Sequence, residues 1–464
     1  MSVLDQSPDE VLRHPRHLAA QPVLADLIQQ LRDCANVKDG YEFQQALLSH
    51  LNAADTARAA SAQAVKRMRD YGKPPQRGVP DPQSGLDPSR LETWQLERDV
   101  CERLVRQLKC VGDALAWRVF GFQRKHIIAR CQNAPPGAFA DTGGRAAELA
   151  HVEQAYNDGR FAILHDLTNC LRIGDVTIFE DDGTFKTIEV KTNPSRRSPA
   201  QNRQVKAAAA AVGDNAPLPG KDRRARLYDI YLPYQTRLDV LRLGTERAAR
   251  DGIFTAKLPG DRALLVTDIY GYTAGGWTDD EWPDAAGRKF TAAMRRAGID
   301  DDRQWHVTAT SLDSVSRYPA RVPFAAYPLH PVACARIIGD YPIFHVETSG
   351  PALAESLRRA GIDARWVLPP AQQYRELRPG EVVMEMTTSS AAPAPGHITR
   401  TFGSGVTLEL SRTLQKRRSE LDRYLIELLD QATWIEGIRC LLADYQFGDG
   451  RPWPHYRDED QVWV

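Results

Sequence analysis

The sequence predicts an α/β protein with a mixed sheet flanked by helices, a helical N-terminal region and a further α/β region towards the C-terminus. Three observations predict this. Between about 145 and 235 a helical stretch is followed by three β-rich runs, a second helix and a fourth β-rich run. Before it, apolar residues recur at helical spacing. After it, helices and strands alternate to the end of the chain.

In chain order, residues 1 to about 84 carry two helical stretches and then a Pro/Gly-rich passage, YGKPPQRGVPDPQSGLDP, with the composition of a linker. A long helix follows, because Leu96, Val100, Leu104, Leu108, Val111, Leu115 and Val119 repeat every three or four residues. Asp87 followed by Pro88 is a suitable start for it. After NAPPGAFADTGG a short helix spans about Arg145 to Asn157. The runs FAILHDL, CLRIGDVTIF and TFKTIEVKT read as strands, the stretch from Pro199 to Val212 as a helix, and RLYDIYLP as a fourth strand. These boundaries divide the chain into 1–84, a core at 85–235 that includes the long helix, and an accessory or sensing region at 236–464.

In that last region DVLRLGTERAARDG and PALAESLRRAG read as helices. ALLVTDIYGY, PIFHVETS, EVVMEMTT and GVTLELS read as strands, and TTSSAAPAPGHITR as a loop. Leu421, Leu425, Leu428, Ala432, Ile435, Ile438 and Leu442 then form an apolar stripe at helical spacing. We read it first as a face packed against its own domain and second as a surface for homo-oligomerisation.

Composition excludes some classes. The chain has 464 residues, 42% hydrophobic and 26% charged, with a formal net charge of zero. It can bury a sizeable core, and any basic surface must be local. No run of 18 or more apolar residues appears, so no membrane partner is expected. The polar start MSVLDQSPDEVLRHPRH lacks a signal-peptide pattern. Seven scattered cysteines without a CxxC pair read as reduced core residues. The expected compartment is cytoplasmic. Walker and dinucleotide-type glycine loops and HExxH spacing are absent, which leaves ATP, NAD and zincin chemistry without support.

The chemistry concentrates in LRIGDVTIFEDDGTFKTIEVK, residues 171–191, two β-rich runs around a hairpin signal. Side-chain direction alternates, so the register decides which residues share a face. A two-residue loop at Asp182-Gly183 would pair Asp175 with Val190 and split the acids across the sheet. A three-residue loop, Asp181-Asp182-Gly183, pairs Glu180 with Thr184, Phe179 with Phe185, Thr177 with Thr187 and Asp175 with Glu189. It also gives one continuous apolar face of Val176, Ile178, Ile188 and Val190, expected to be buried, and it is therefore preferred. The other face then carries Asp175, Glu189 and Lys191. Opposed carboxylates about 4.5–5.5 Å apart at Cβ repel unless a cation lies between them. Their oxygen ligands suit Mg²⁺ or Mn²⁺ and not zinc. A nearby ammonium group completes a set suited to phosphodiester hydrolysis.

Asp175, a spacer and then Glu189-Val190-Lys191 resemble the signature of the PD-(D/E)XK nucleases, the restriction-endonuclease-like superfamily, over about 145 to 235. The resemblance includes the α-β-β-β-α-β order. It implies that Asp175 and Glu189 ligate the metal, that the Val190 backbone carbonyl completes the site, and that Lys191 orients or activates the nucleophilic water. Gly174 stands where many members have proline. An additional glutamate on the preceding helix makes Glu148 and Glu153 candidates, and a glutamine on the following helix makes Gln201 and Gln204 candidates. His165 and Asp166 precede the motif and can line its cleft, although a satisfied structural histidine is the stronger reading of His165. Asp181 and Asp182 read as turn residues.

Lys191, Arg196, Arg197, Arg203, Lys206, Lys221, Arg223, Arg224 and Arg226 are opposed between 191 and 226 only by Asp214 and Asp222. That local basic concentration suits phosphate contacts, for which Arg196, Arg197, Arg203 and Lys206 are the candidates. The expected activity is Mg²⁺-dependent endonucleolytic hydrolysis of DNA, as in restriction or anti-phage defence enzymes of this build. An RNA nuclease and a non-cleaving nucleic-acid-binding or scaffold protein are the other readings.

Overall fold

The computed structural model describes residues 8–69, 90–131, 144–180, 182–190, 199–214, 216–219, 227, 235–276, 278, 281–299, 306–311, 321–367, 383–388, 397–401, 407–411, 413–414 and 424–438. The fold is mixed α/β and predominantly helical, with small antiparallel sheets. The chain forms two compact units. One comprises Met1–Leu227 with Val322–Asp340, the other Tyr228–Arg321 with Tyr341–Val464.

The first unit begins with α1 (Pro8–Arg13), α2 (Pro15–Asp33), α3 (Val37–Arg69) and α4 (Leu91–Val119), one helix more than the sequence suggested before the linker. Pro15 at the first turn of α2 needs no hydrogen bond there, and His14 accepts from Arg16 N–H as its N-cap. The helix buries Leu24, Leu27, Ile28 and Leu31, an i, i+3, i+4, i+7 stripe. α3 buries Phe43, Leu47 and Leu51 and packs along α4.

The second half of α4 is buried all round, Lys109 to Trp117 without a break. It therefore acts as a platform for the strands. Gly112 lets the chain pass close by, since a Cβ there would overlap the Leu167 carbonyl. One residue on, the Asp113 carboxylate accepts the N–H groups of Asn169 (2.6 Å) and Cys170 (2.8 Å). Burial raises the Asp113 pKa, opposed by these hydrogen bonds. The segment leading into the hairpin is thus fixed by a helix about sixty residues earlier in the chain.

After α5 (Arg124–Arg130) and α6 (Arg145–Asn157) come β1 (Ala162–Leu164), a 3-10 turn at His165–Leu167, β2 (Val176–Phe179) and β3 (Phe185–Ile188), paired antiparallel in the order β1-β2-β3. α7 (Pro199–Gly213) follows. The helix expected from Arg145 to Asn157 therefore has those bounds. Every strand pair among the described residues is antiparallel. The stretch 226–233, expected as a fourth strand, lies outside the described residues except for Leu227.

In the second unit α8 (Leu238–Asp251) precedes β4 (Ile253–Leu258) and β5 (Arg262–Asp268), which share a four-stranded sheet, β4-β5-β7-β6, with β6 (His306–Thr310) and β7 (Pro342–Ser349). Between β5 and β6 lie α9 (Gly271–Ala274) and α10 (Glu281–Arg296). Ile253 and Leu265 pack against Ala285 and Ala286 of α10. Val266, on the opposite face, approaches Gly244 of α8. Covered on both faces, β5 is buried at every position, and its centre, Ala263–Val266, is a continuous apolar run.

Two expectations are corrected in this unit. The passage read as a loop, TTSSAAPAPGHITR, contains strand residues, because β8 (His397–Thr401) pairs with β9 (Thr407–Ser411). The C-terminal apolar stripe is not one helix. Leu428 has φ +49°, in the left-handed region, and Leu429 bridges to Thr236, so the helical path is broken there and helix resumes at 431–438. Leu421 and Leu442 lie outside the described residues. No helix among the described residues is long and apolar enough to cross a membrane. Five of the six described cysteines are buried and none forms a disulfide.

Candidate active site

β2 and β3 pair as Val176↔Ile188, Thr177↔Thr187, Ile178↔Lys186 and Phe179↔Phe185, the register of the three-residue loop. The turn closes through Glu180 N–H to the Thr184 carbonyl (2.8 Å) and Gly183 N–H to the Glu180 carbonyl (3.0 Å). Asp182 Oδ1 accepts both the N–H (2.9 Å) and the hydroxyl (2.6 Å) of Thr184, as expected of a turn residue. Asp181 lies outside the described residues.

The burial pattern departs from expectation. Val176 is buried, but Ile178, Ile188 and Val190 are only half-buried. On the opposite face Thr177 is fully buried, and Phe179 and Phe185 pack against Phe120. Phe185 also meets His126 edge-on. Arg130 lies over both Phe120 and Phe185. The face expected to be open around the acids is therefore closed along most of the hairpin by the end of α4 and by α5. Hairpin periodicity does not reveal this, because the covering residues are distant in sequence. Only the end of the hairpin at Asp175 and Glu189 remains for a site.

There the ladder also changes. Its last regular pair is Val176↔Ile188, and Asp175 N–H donates to the Ile188 carbonyl at 2.8 Å. Asp175 Oδ2 accepts the Val190 N–H at 2.6 Å. Asp175 thus brackets Glu189 by bonding the residues on either side of it. Gly174 makes the turn possible with φ +81°, and a Cβ there would strike the Thr187 methyl. A proline, which requires φ near −65°, would not fit.

Glu148, in the first turn of α6, is half-buried, and its carboxyl pKa is pushed up to about 7. Burial is the largest cause, followed by the charges of Asp166 and Asp175; Arg145 opposes these and Glu189 adds to them. Three acids from two elements, Glu148, Asp175 and Glu189, therefore share one electrostatic environment. All are oxygen donors, the set that suits Mg²⁺ or Mn²⁺. Among the described residues no three His, Cys, Asp or Glu side chains converge as they stand. Glu153, the other candidate, is exposed and faces elsewhere: after burial, it is the next cause raising the Tyr41 hydroxyl pKa.

Asp166 is held by Arg145 at 3.0 Å, and Arg145 also reaches Asn52. Lys109 is buried nearby; burial lowers its pKa, opposed by Asp166 and Asp113. Sequence reading did not single out Arg145 or Lys109. The signal for Arg145 was its position three residues before Glu148, on one helix face. His165 is buried, with its pKa pushed down to about 3 by burial and by Arg130, and it is hydrogen-bonded through both ring nitrogens.

α7 turns Val205, Ala208 and Val212 towards Ala129 and Ile173. Gln201, one turn before Val205, is half-buried on that side, whereas Gln204, Arg203 and Lys206 are exposed. Lys191, Arg196 and Arg197 lie outside the described residues. Comparison with known protein families, with curated proteins and with solved structures finds no match to this chain.

Proposed function

We propose that the protein is a metal-dependent nuclease that hydrolyses DNA phosphodiester bonds, with a restriction-endonuclease-like core around residues 145–235. In this reading Asp175, Glu189 and Glu148 hold Mg²⁺ or Mn²⁺ with the Val190 carbonyl, and Lys191 positions the attacking water. The observation that carries it is the end of the hairpin, where Asp175 brackets Glu189 by bonding Ile188 and Val190, and where the charges of both acids, after burial and Asp166, help to raise the Glu148 carboxyl. A fold gains nothing from half-burying mutually repelling acids unless a cation offsets them.

A bound divalent cation would supply charge neutralisation and lower the pKa of water. The protein supplies the rest. Asp175 and Glu189 are held at the end of one hairpin, Glu148 on α6 is within reach of their charges, and Arg145 engages Asp166. Arg203 and Lys206, exposed on α7, are available to phosphates. Restriction or anti-phage defence is the setting proposed for this activity.

The experiment is incubation of the purified chain with supercoiled plasmid, single-stranded DNA and RNA in Mg²⁺, Mn²⁺ or EDTA. Nicking or linearisation of plasmid that needs the cation and is lost in Asp175→Ala and Glu189→Ala supports the proposal. Cleavage of RNA alone reassigns the substrate. No cleavage together with no Mn²⁺ binding overturns it.

A further inference from the structure

A row of hydrogen bonds runs through the hairpin behind Asp175. Arg130 Nε lies 3.3 Å from Thr187 Oγ1, which lies 2.9 Å from Thr177 Oγ1. Thr177 Oγ1 lies 2.8 Å from His165 Nε2, and His165 Nδ1 lies 2.9 Å from the Gly174 carbonyl oxygen. The two ends fix the direction of every bond. A carbonyl only accepts, so Nδ1 carries the ring proton and Nε2 accepts from the Thr177 hydroxyl. Thr177 then accepts from Thr187, and Thr187 accepts from the guanidinium, which only donates. His165 and Thr177 are buried, and Arg130 is clamped between Phe120 and Phe185.

His165 makes one more bond, from its main-chain N–H to the Asp175 carbonyl at 2.9 Å. The Gly174 carbonyl belongs to the peptide before the Asp175 Cα and the Asp175 carbonyl to the peptide after it. Ring and backbone of one residue therefore hold both peptides that flank Asp175. Fixing both sets the two backbone torsions of Asp175, and with them the direction of its side chain.

We propose that His165 is the positioning residue of this site: the Gly174 carbonyl fixes its tautomer, the Arg130–Thr187–Thr177 row holds its ring in place, and His165 in turn aims the Asp175 carboxylate. The inference rests on the metal-site reading above. Partners that orient metal ligands are commonly worth about 10–100-fold in affinity.

The test uses the full chain with Thr177→Val, Thr177→Ser, Thr187→Val and Asp175→Ala. It reads Mn²⁺ affinity by calorimetry, the His165 tautomer by ¹⁵N-histidine NMR and folding by thermal melts. We expect the Nδ1–H tautomer in the parent chain, with a shifted Nε2 resonance as its hydrogen bond is lost and about tenfold weaker Mn²⁺ binding in Thr177→Val. Thr177→Ser, which keeps the hydroxyl, should restore both. Should Thr177→Val fail to fold, Thr187→Val breaks the same row one step further away. A folded valine variant with the parent affinity, or a serine variant that restores neither reading, overturns the positioning role. If Mn²⁺ affinity is unchanged in Asp175→Ala, the metal-site reading fails instead. The tautomer readout needs no metal and separates the two outcomes.

Discussion

Asp175 accepts the main-chain N–H of Val190 at 2.6 Å while donating its own N–H to the Ile188 carbonyl. One residue thus closes the hairpin at the point where the strand ladder ends, and the same carboxylate is the proposed ligand. Structure and chemistry can be separated at this position. Asp175→Asn keeps an acceptor for Val190 and should stay within about 1 kcal/mol of the parent in EDTA. Asp175→Ala loses the bond and should cost about 1–2 kcal/mol, reduced by relief of repulsion. Both should abolish Mn²⁺ binding and cleavage. Urea unfolding with calorimetry checks this; an asparagine variant that binds Mn²⁺ normally would contradict it.

Glu148 makes stability depend on pH in an unusual direction. Its folded-state pKa of about 7 lies above the ordinary 4.5, so between those values the unfolded chain has released a proton that the native state retains. Stability in EDTA therefore falls as pH rises from 4.5 to 7 and levels off above that. Glu148→Gln, which cannot ionise, should match the parent near pH 4, exceed it progressively between 4.5 and 7, and keep a constant advantage above that. Thermal melts across this range check the prediction, and a difference that does not vary with pH would refute it. Divalent cations should narrow the difference, because they compete with the proton.

Glu189→Ala and Lys191→Ala should each leave a folded protein without detectable cleavage. Loss of one electrostatic contact to a developing charge typically costs about 10²–10³-fold in rate. Single-turnover plasmid cleavage beside a melting curve tests this. Activity near the parent level in both variants would move the active site elsewhere.

Gly174→Ala should be costly for a small substitution. It places a Cβ at φ +81° and drives it into the Thr187 methyl. A penalty of about 1–3 kcal/mol is expected from the backbone conformation, with weaker Mn²⁺ binding because Asp175 is the next residue. A melting temperature equal to the parent's would show that the hairpin adjusts without strain.

Binding can be tested apart from catalysis in a Glu189→Ala background. Duplex DNA affinity should fall with salt at a log–log slope of about −0.9 per phosphate neutralised. Replacing Arg203 and Lys206, or Arg196 and Arg197, should make that slope shallower by about one to two units without changing sequence preference. An unchanged slope in both double variants would assign these residues to a solvated surface.

The sequence by itself determined what depends on neighbours along the chain. Repeats of three and four residues gave the long helix now seen as Leu91–Val119, and the Pro/Gly break NAPPGAFADTGG placed the start of Arg145–Asn157. Asp181-Asp182-Gly183 and the alternation around it gave the hairpin register, because turn chemistry and a period of two are local. What only the tertiary structure decided depends on contacts between distant segments. Burial of Thr177, the packing of Phe120 and Arg130 on Phe185, the hold of Asp113 on Asn169 and Cys170, and the return of Val322–Asp340 to the first unit have no signature in local periodicity. The same is true of the distinction between Glu148 and Glu153, five residues apart on one helix. A helix turns about 100° per residue, so these two side chains point in clearly different directions. Only packing of α6 decided that Glu148 shares the electrostatic environment of Asp175 and Glu189, while Glu153 acts on Tyr41.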